Sequence, residues 1–138
     1  MSAKILDGKK CAEDFLIWLE DAIEIKQITP TLVIYRIGDD PASAVYVRNK
    51  VRTAERVGIK AIVREYPADT DKFWVYNRLE GDAGNPDIDG IMVQLPLPAG
   101  WEARKLIEFI PPEKDVDGLT YENMGRLHEY NAYHRPCT

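Results

Sequence analysis

The sequence is short of the features that would tie it to an oxidising compartment, a nucleic acid or a membrane. Its 138 residues include two cysteines, Cys11 and Cys137, at opposite ends and without the close spacing that zinc sites and disulfide frameworks need. Both read as reduced thiols, which points to the cytoplasm. There is no basic excess, since 18 Lys and Arg stand against 23 Asp and Glu for a net charge of -5, and no basic cluster matches the footprint of a phosphate backbone. Nucleic acid is not expected as a main partner. The apolar runs fall well short of the roughly 20 residues that cross a bilayer. The opening MSAKILDGKKCAED lacks the apolar stretch of a secretory signal, so no membrane partner is expected either. No long-period repeat or low-complexity tract is present, which excludes solenoids and propellers. Nor does a glycine-rich turn join a strand to a helix, the device with which dinucleotide folds hold a pyrophosphate.

What is present is the make-up of a single globular domain, 45% apolar and 30% charged, enough for one core without staples. From Lys10 to Gln27, the residues Ala12, Phe15, Leu16, Leu19, Ala22 and Ile23 recur at spacings of three and four, which puts them on one face of an amphipathic helix. Thr29-Pro30 ends it, and the β-branched run Thr31 to Ile37 (TLVIYRI) reads as a buried strand. After the turn Gly38-Asp39-Asp40-Pro41, a second helix is expected from about Ser43 to Val57, capped by Gly58, and a second strand from Lys60 to Tyr66. Asp69-Thr70-Asp71 offers N-cap oxygens to a third helix that stops in the loop from Gly81 to Pro86. A third strand is expected over Ile88 to Leu95 and a short helix over Ala103 to Ile110, with PEKDVDGLTYENMG as a loop. This alternation predicts an α/β fold, a small and mainly parallel sheet flanked by helices in three layers. Ligands of such sheets gather at the carboxyl ends of the strands, so the loops after Ile37, Tyr66 and Gln94 are the places to look.

On a wheel of the second helix, Val47, Val51 and Ala54 share the apolar stripe, while Arg48, Asn49, Arg52, Glu55 and Arg56 fall on a solvated face. Lys50 falls on the other flank of the stripe, beside Tyr46 and Ser43. An ammonium held against apolar surface loses hydration, which is how lysines become usable bases, so Lys50 is a candidate base. The alternative is a lysine whose stem covers the helix flank while its head reaches water. Tyr46 alone reads as a core residue with its hydroxyl satisfied. Gln94, near a strand's carboxyl end, serves either a backbone neighbour or a site. Asp115 and Asp117 in Lys114-Asp115-Val116-Asp117-Gly118 are two carboxylates at spacing two, too few ligands for a metal site on their own. His128 and His134 read as surface residues.

Four segments, IGDDPASAVYVRNK, DGIMVQLPLP, PPEKDVDG with the later ENMGRL, and RPCT, resemble the bifunctional methylenetetrahydrofolate dehydrogenase/methenyltetrahydrofolate cyclohydrolase family in order and spacing, and ILDGK resembles that family's first strand and turn. The resemblance runs from Ile5 to Thr138. It implies a folate-binding catalytic domain over residues 1–138, belonging to an enzyme of cytoplasmic one-carbon metabolism that serves purine biosynthesis. It also implies a tetrahydrofolate substrate and NADP bound by a further Rossmann domain outside these residues; the surface that would face that domain is expected to be covered by self-association, as a homodimer. By the same resemblance Tyr46 stacks on the aminobenzoyl ring, Lys50 is the essential lysine, and Gln94 hydrogen-bonds and tunes it. Asp117 would grip the pterin's amide and amino edge, and Ser43, Leu95 and Pro96 would line the site. With no dinucleotide turn in the sequence, these residues alone are expected not to reduce NADP, to hydrolyse weakly or not at all, and to bind folate with reduced affinity. A non-enzymatic folate-binding or oligomerising fragment is the second reading. The Tyr46-x-x-x-Lys50 spacing also occurs in short-chain dehydrogenases, but the glycine turn that precedes it there is missing.

Overall fold

The structure, a computed structural model, describes residues 5–129. Three parallel strands, β1 (Thr31–Ile37), β2 (Lys60–Tyr66) and β3 (Gly90–Val93), lie in the order β2-β1-β3. Alternate residues of β1 feed two cores, because side chains of a strand point to opposite faces. Val33, Tyr35 and Ile37 pack with Ile91 and Val93 of β3 against Val75 and Leu79 of α3 (Lys72–Ala83) and Leu106 of α4 (Ala103–Ile107). Ile34 and Met92 pack on the other face against Val47 of α2 (Pro41–Arg56), with Leu32, Val51 and Val63 around them. Each of these large side chains contributes about 1.5–3 kcal/mol by leaving water. The result is the expected three-layer arrangement. The chain steps from β1 to β2 through α2, then back past β1 to β3 through α3 on the opposite face, as crossovers of one hand require. The direction reverses between β1 and β3, and the crevice at their carboxyl ends is where an open α/β sheet takes its ligands.

Several boundaries differ from the sequence expectation. The third strand pairs over Gly90–Val93 rather than Ile88 to Leu95, although the Gln94 N–H still donates to Tyr35 O at 2.8 Å. The α4 helix ends at Ile107, and the chain tightens into bonds from Phe109 N to Leu106 O and from Ile110 N to Ile107 O ahead of Pro111. Within the stretch read as a loop lies α5 (Tyr121–His128), capped by the Thr120 hydroxyl, with the exposed His128 as its last residue. The first helix, α1 (Gly8–Lys26), begins earlier than expected because Asp7 accepts from Lys10 N at 2.9 Å. Ile23 is its one buried residue, and Phe15 of the apolar face is exposed together with Trp18. ILDGK forms no strand; Ile5 and Leu6 are exposed and Asp7 is the cap. RPCT, His134 and Cys137 lie outside the described residues; Cys11 is an exposed free thiol. Among the described residues no helix is long and apolar enough to cross a membrane.

Two glycines fix the loops at the sheet's edges. Gly38, at φ +88°, ends β1 where an added Cβ would meet Pro98 Cγ at 2.6 Å, so the Leu95-Pro96-Leu97-Pro98 segment rests directly on its backbone. At the start of β3, a Cβ on Gly90 would meet Val116 Cγ1 at 2.7 Å. The missing side chain leaves room for the turn that carries Asp117.

Candidate functional site

The α2 helix starts at the β1 crevice because Asp40 caps it, accepting from Ser43 N at 2.6 Å, with Pro41 in its first turn. The Ser43 N–H holds the Asp40 carboxyl below its ordinary range. Ser43 itself is buried, and its Oγ has no hydrogen-bond partner among the described residues. One turn on, Tyr46 is 60% exposed, which removes the reading of a core tyrosine. Another turn on, Lys50 Nζ donates to Gln94 Oε1 at 3.0 Å. Lys50 as a residue is exposed, so its stem lies on the flank while its head is held by an amide at the strand end. Gln94 is 8% exposed; its own amide N–H donates to the backbone neighbour Leu95 O, while its oxygen takes Lys50.

Tyr46, Asn49, Lys50 and Thr53 form one wall of a cleft of about 430 Å³, with Leu16 and Leu19 of α1 opposite and Leu32 and Met92 beneath. Asn49 belongs to this wall although the wheel placed it with the solvated charges. Thr53 was not singled out by sequence at all; its i+3 relation to Lys50 was the available signal. Leu95 and Pro96 are exposed at the mouth of the same strand end, joined by a cis peptide bond.

Asp117 comes to this site from a different part of the chain. It lies half-buried within electrostatic reach of Lys50. Burial raises its carboxyl above the ordinary range, Lys50 draws it part of the way back, and Asp115 adds a smaller upward push. The two carboxylates of the Asp115-Val116-Asp117 run do not converge. Asp115 is 2% exposed and accepts from Thr120 N at 2.8 Å and Asn123 Nδ2 at 3.0 Å, which outweigh its burial and hold its carboxyl below the ordinary range. Among the described residues no group of three metal-binding side chains comes together. Lys114 of the same motif is structural, donating to Ala83 O at 2.9 Å and Asn85 O at 2.7 Å beyond the end of α3.

A doubly wound α/β domain with an amine, an amide and a carboxylate gathered at its switch point has the form of a domain that handles a small polar molecule. Residues 6–117 match the family model described as tetrahydrofolate dehydrogenase/cyclohydrolase, catalytic domain, and the chain belongs to that family. It is 40% identical over 141 residues to the bifunctional protein FolD of Bordetella bronchiseptica, covering 100% of this chain and 50% of the relative. It also superposes with a TM-score of 0.90 on the bifunctional 5,10-methylenetetrahydrofolate dehydrogenase/cyclohydrolase of Thermoplasma acidophilum, at 33% identity over 96% of this chain and 48% of that one. The Trypanosoma brucei methylenetetrahydrofolate dehydrogenase-cyclohydrolase, solved with NADP and an inhibitor, superposes with a TM-score of 0.90 at 29% identity over 99% of this chain and 49% of that one. The chain thus spans about half the length of these relatives.

Proposed function

We propose that this chain is the tetrahydrofolate-binding catalytic domain of an enzyme of cytoplasmic one-carbon metabolism. That enzyme oxidises 5,10-methylene-tetrahydrofolate to the methenyl form and hydrolyses the methenyl form to 10-formyl-tetrahydrofolate. The observation that carries the reading is the 3.0 Å bond from Lys50 Nζ to Gln94 Oε1, with Tyr46 on the same helix and Asp117 within reach. In the hydrolysis, the Lys50 amine takes a proton from the water that adds to the cationic methenyl carbon; that carbon's bond to one ring nitrogen then breaks, and the proton of the added hydroxyl passes to the departing nitrogen as its oxygen becomes the formyl oxygen. A cationic substrate beside an amine favours the amine's uncharged form, because like charges repel. Gln94 fixes one N–H of the amine and so directs the nitrogen's free electron pair. The exposed ring of Tyr46 offers a flat face to the aminobenzoyl group, and the Asp117 carboxylate accepts from the pterin's amide and amino edge. Buried Ser43 and exposed Leu95 and Pro96 complete the lining.

NADP, present in the trypanosomal relative's structure, supplies a hydride acceptor when bound, but the described residues do not fit it. The helix N-termini that follow β1 and β2 are both occupied by carboxylates, Asp40 bonded to Ser43 N and Asp71 bonded to Phe73 N, where a pyrophosphate needs bare N–H groups. No step through NADP is assigned to these residues.

Binding tests the folate reading. Tyr46→Ala and Asp117→Ala each weaken tetrahydrofolate by roughly 1–3 kcal/mol, about 5- to 150-fold, in calorimetric titration. Unchanged affinity in both variants refutes the roles given to them. A homodimer is part of the same reading, supported by the exposed Phe15, Trp18 and Ile25 on α1. Trp18→Glu is expected to shift the chain to monomer in sedimentation; a wild-type chain that stays monomeric at high concentration removes this element.

A further inference from the structure

The turn that carries Asp117 is held from behind by a buried polar group that takes no part in the chemistry above. Asp115, Thr120 and Asn123 are each 2% exposed. A buried carboxylate is costly unless its oxygens are hydrogen-bonded. Here the Asp115 Oδ2 atom is met by Thr120 N and by the Asn123 amide, which also donates to Pro112 O at 2.8 Å. One side chain of α5 therefore clamps both the entry to the turn and its first residue. The turn is closed by Gly118 N on Asp115 O at 3.3 Å, with Gly118 at φ 65°, and Asp117 is the third of its four residues. On the sheet side, Asp115 pairs with Ile91 beyond the edge of β3, Ile91 N donates to Lys114 O at 2.7 Å, and Val116 sits over Gly90. The direction of Asp117 is thus set by backbone pinned to β3 on one side and to α5 on the other.

We propose that Asn123, acting through Asp115, is a positioning residue that aims Asp117 at the bound folate, making α5 part of the site although none of its side chains need touch the ligand. This rests on the folate reading above. The alternative is that Asn123 merely anchors α5 to the domain. The two differ in what happens when Asp117 has already been removed.

The test is a double-mutant cycle on this chain, with tetrahydrofolate as the probe in calorimetry. Asn123→Ala is expected to lower affinity roughly tenfold, the order of one lost charged hydrogen bond. That loss disappears when Asn123→Ala is added to Asp117→Ala and persists when it is added to Tyr46→Ala. Glu108→Ala serves as a control: it removes the acceptor of Tyr121 N at the start of α5 without touching Asp115, so it lowers the melting temperature while leaving affinity within about threefold. Should Asn123→Ala fail to fold, Asn123→Ser, whose shorter side chain withdraws the amide from Asp115 Oδ2 and Pro112 O, replaces it in the same cycle. Equal losses from Asn123→Ala in the Asp117→Ala and Tyr46→Ala backgrounds, or a loss from Glu108→Ala as large as from Asn123→Ala, overturn the positioning role. A ligand-free readout is the NMR titration of the Asp117 carboxyl, which faces Lys50 from α2 and Asp115 from its own turn. In Asn123→Ala it returns toward the ordinary carboxylate range as the turn opens to water; an unmoved titration counts against the proposal. A wild-type chain that does not bind tetrahydrofolate overturns the folate reading and this role with it.

Discussion

Replacing Lys50 with Met lowers the rate of 5,10-methenyl-tetrahydrofolate hydrolysis at least ~100-fold, the loss typical of removing a general base, while the protein melts within a few degrees of wild type. The stem of Met follows that of Lys over the helix flank beside Leu32 and Met92, so the cleft wall keeps its shape. What disappears is the nitrogen that Gln94 orients at 3.0 Å. Lys50→Arg separates the base from the charge, because a guanidinium keeps its positive charge and its reach to Gln94 but does not give up a proton near neutral pH. Both variants are therefore expected to lose hydrolysis, and a charge-only role predicts that Arg rescues it. The measurement is the decay of the methenyl chromophore under single-turnover conditions in the full-length enzyme of which this chain is proposed to be a domain. A rate above about a tenth of wild type in Lys50→Met is too fast for a site that has lost its base.

Lys50 was legible in the sequence because a helix wheel needs only local spacing, and one charge off the polar face stands out against five polar residues on it. Gln94 was legible for a similar reason, as an amide ending an apolar strand. Their meeting was not, since they are 44 residues apart and only the order β2-β1-β3 brings the end of β3 beside α2. Asp117 was reached by resemblance alone; nothing in its spacing says that the turn faces Lys50 rather than solvent. The α5 helix escaped because eight residues with Gly125 inside and Met124 and Leu127 as their large apolar side chains are too short to establish a period. On α1 the periodicity identified an apolar face. Spacing reports which residues share a side of a helix, but not whether another element of the described chain covers them.

The least legible feature is also one whose loss should destabilise the domain strongly. Asp82, 3% exposed on α3, accepts from the Tyr35 hydroxyl at 2.8 Å and from Arg64 Nε at 3.1 Å, and pairs with Arg78 at 3.0 Å. Its partners lie 47 and 18 residues away and on the same helix, so no short motif reveals it. Burial alone would raise this carboxyl, but the bonds from Arg64 and Tyr35 overcome it and hold the group below its ordinary range. Tyr35 is pushed the other way, chiefly by its own burial and then by Asp82. Asp82→Ala leaves a buried hydroxyl and a three-quarters-buried guanidinium without their acceptor, at a cost of about 3 kcal/mol, whereas Arg78, half exposed, adds little. For a chain of this length that is roughly 10 °C in melting temperature. The pH dependence follows from the direction of the shift. A carboxyl lowered on folding stabilises the protein above its unfolded value of about 3.9, and that contribution is lost as the pH falls through the folded value. Asp115 acts with the same sign and Asp117, raised on folding, with the opposite one. Denaturant melts between about pH 2 and 7 therefore show wild-type stability falling on the acid side. Asp82→Asn, which keeps the shape but not the charge, loses stability at neutral pH and follows a flatter curve below about pH 4. A variant whose curve runs parallel to wild type across that range would mean that the ionised Asp82 does not hold β1, β2 and α3 together.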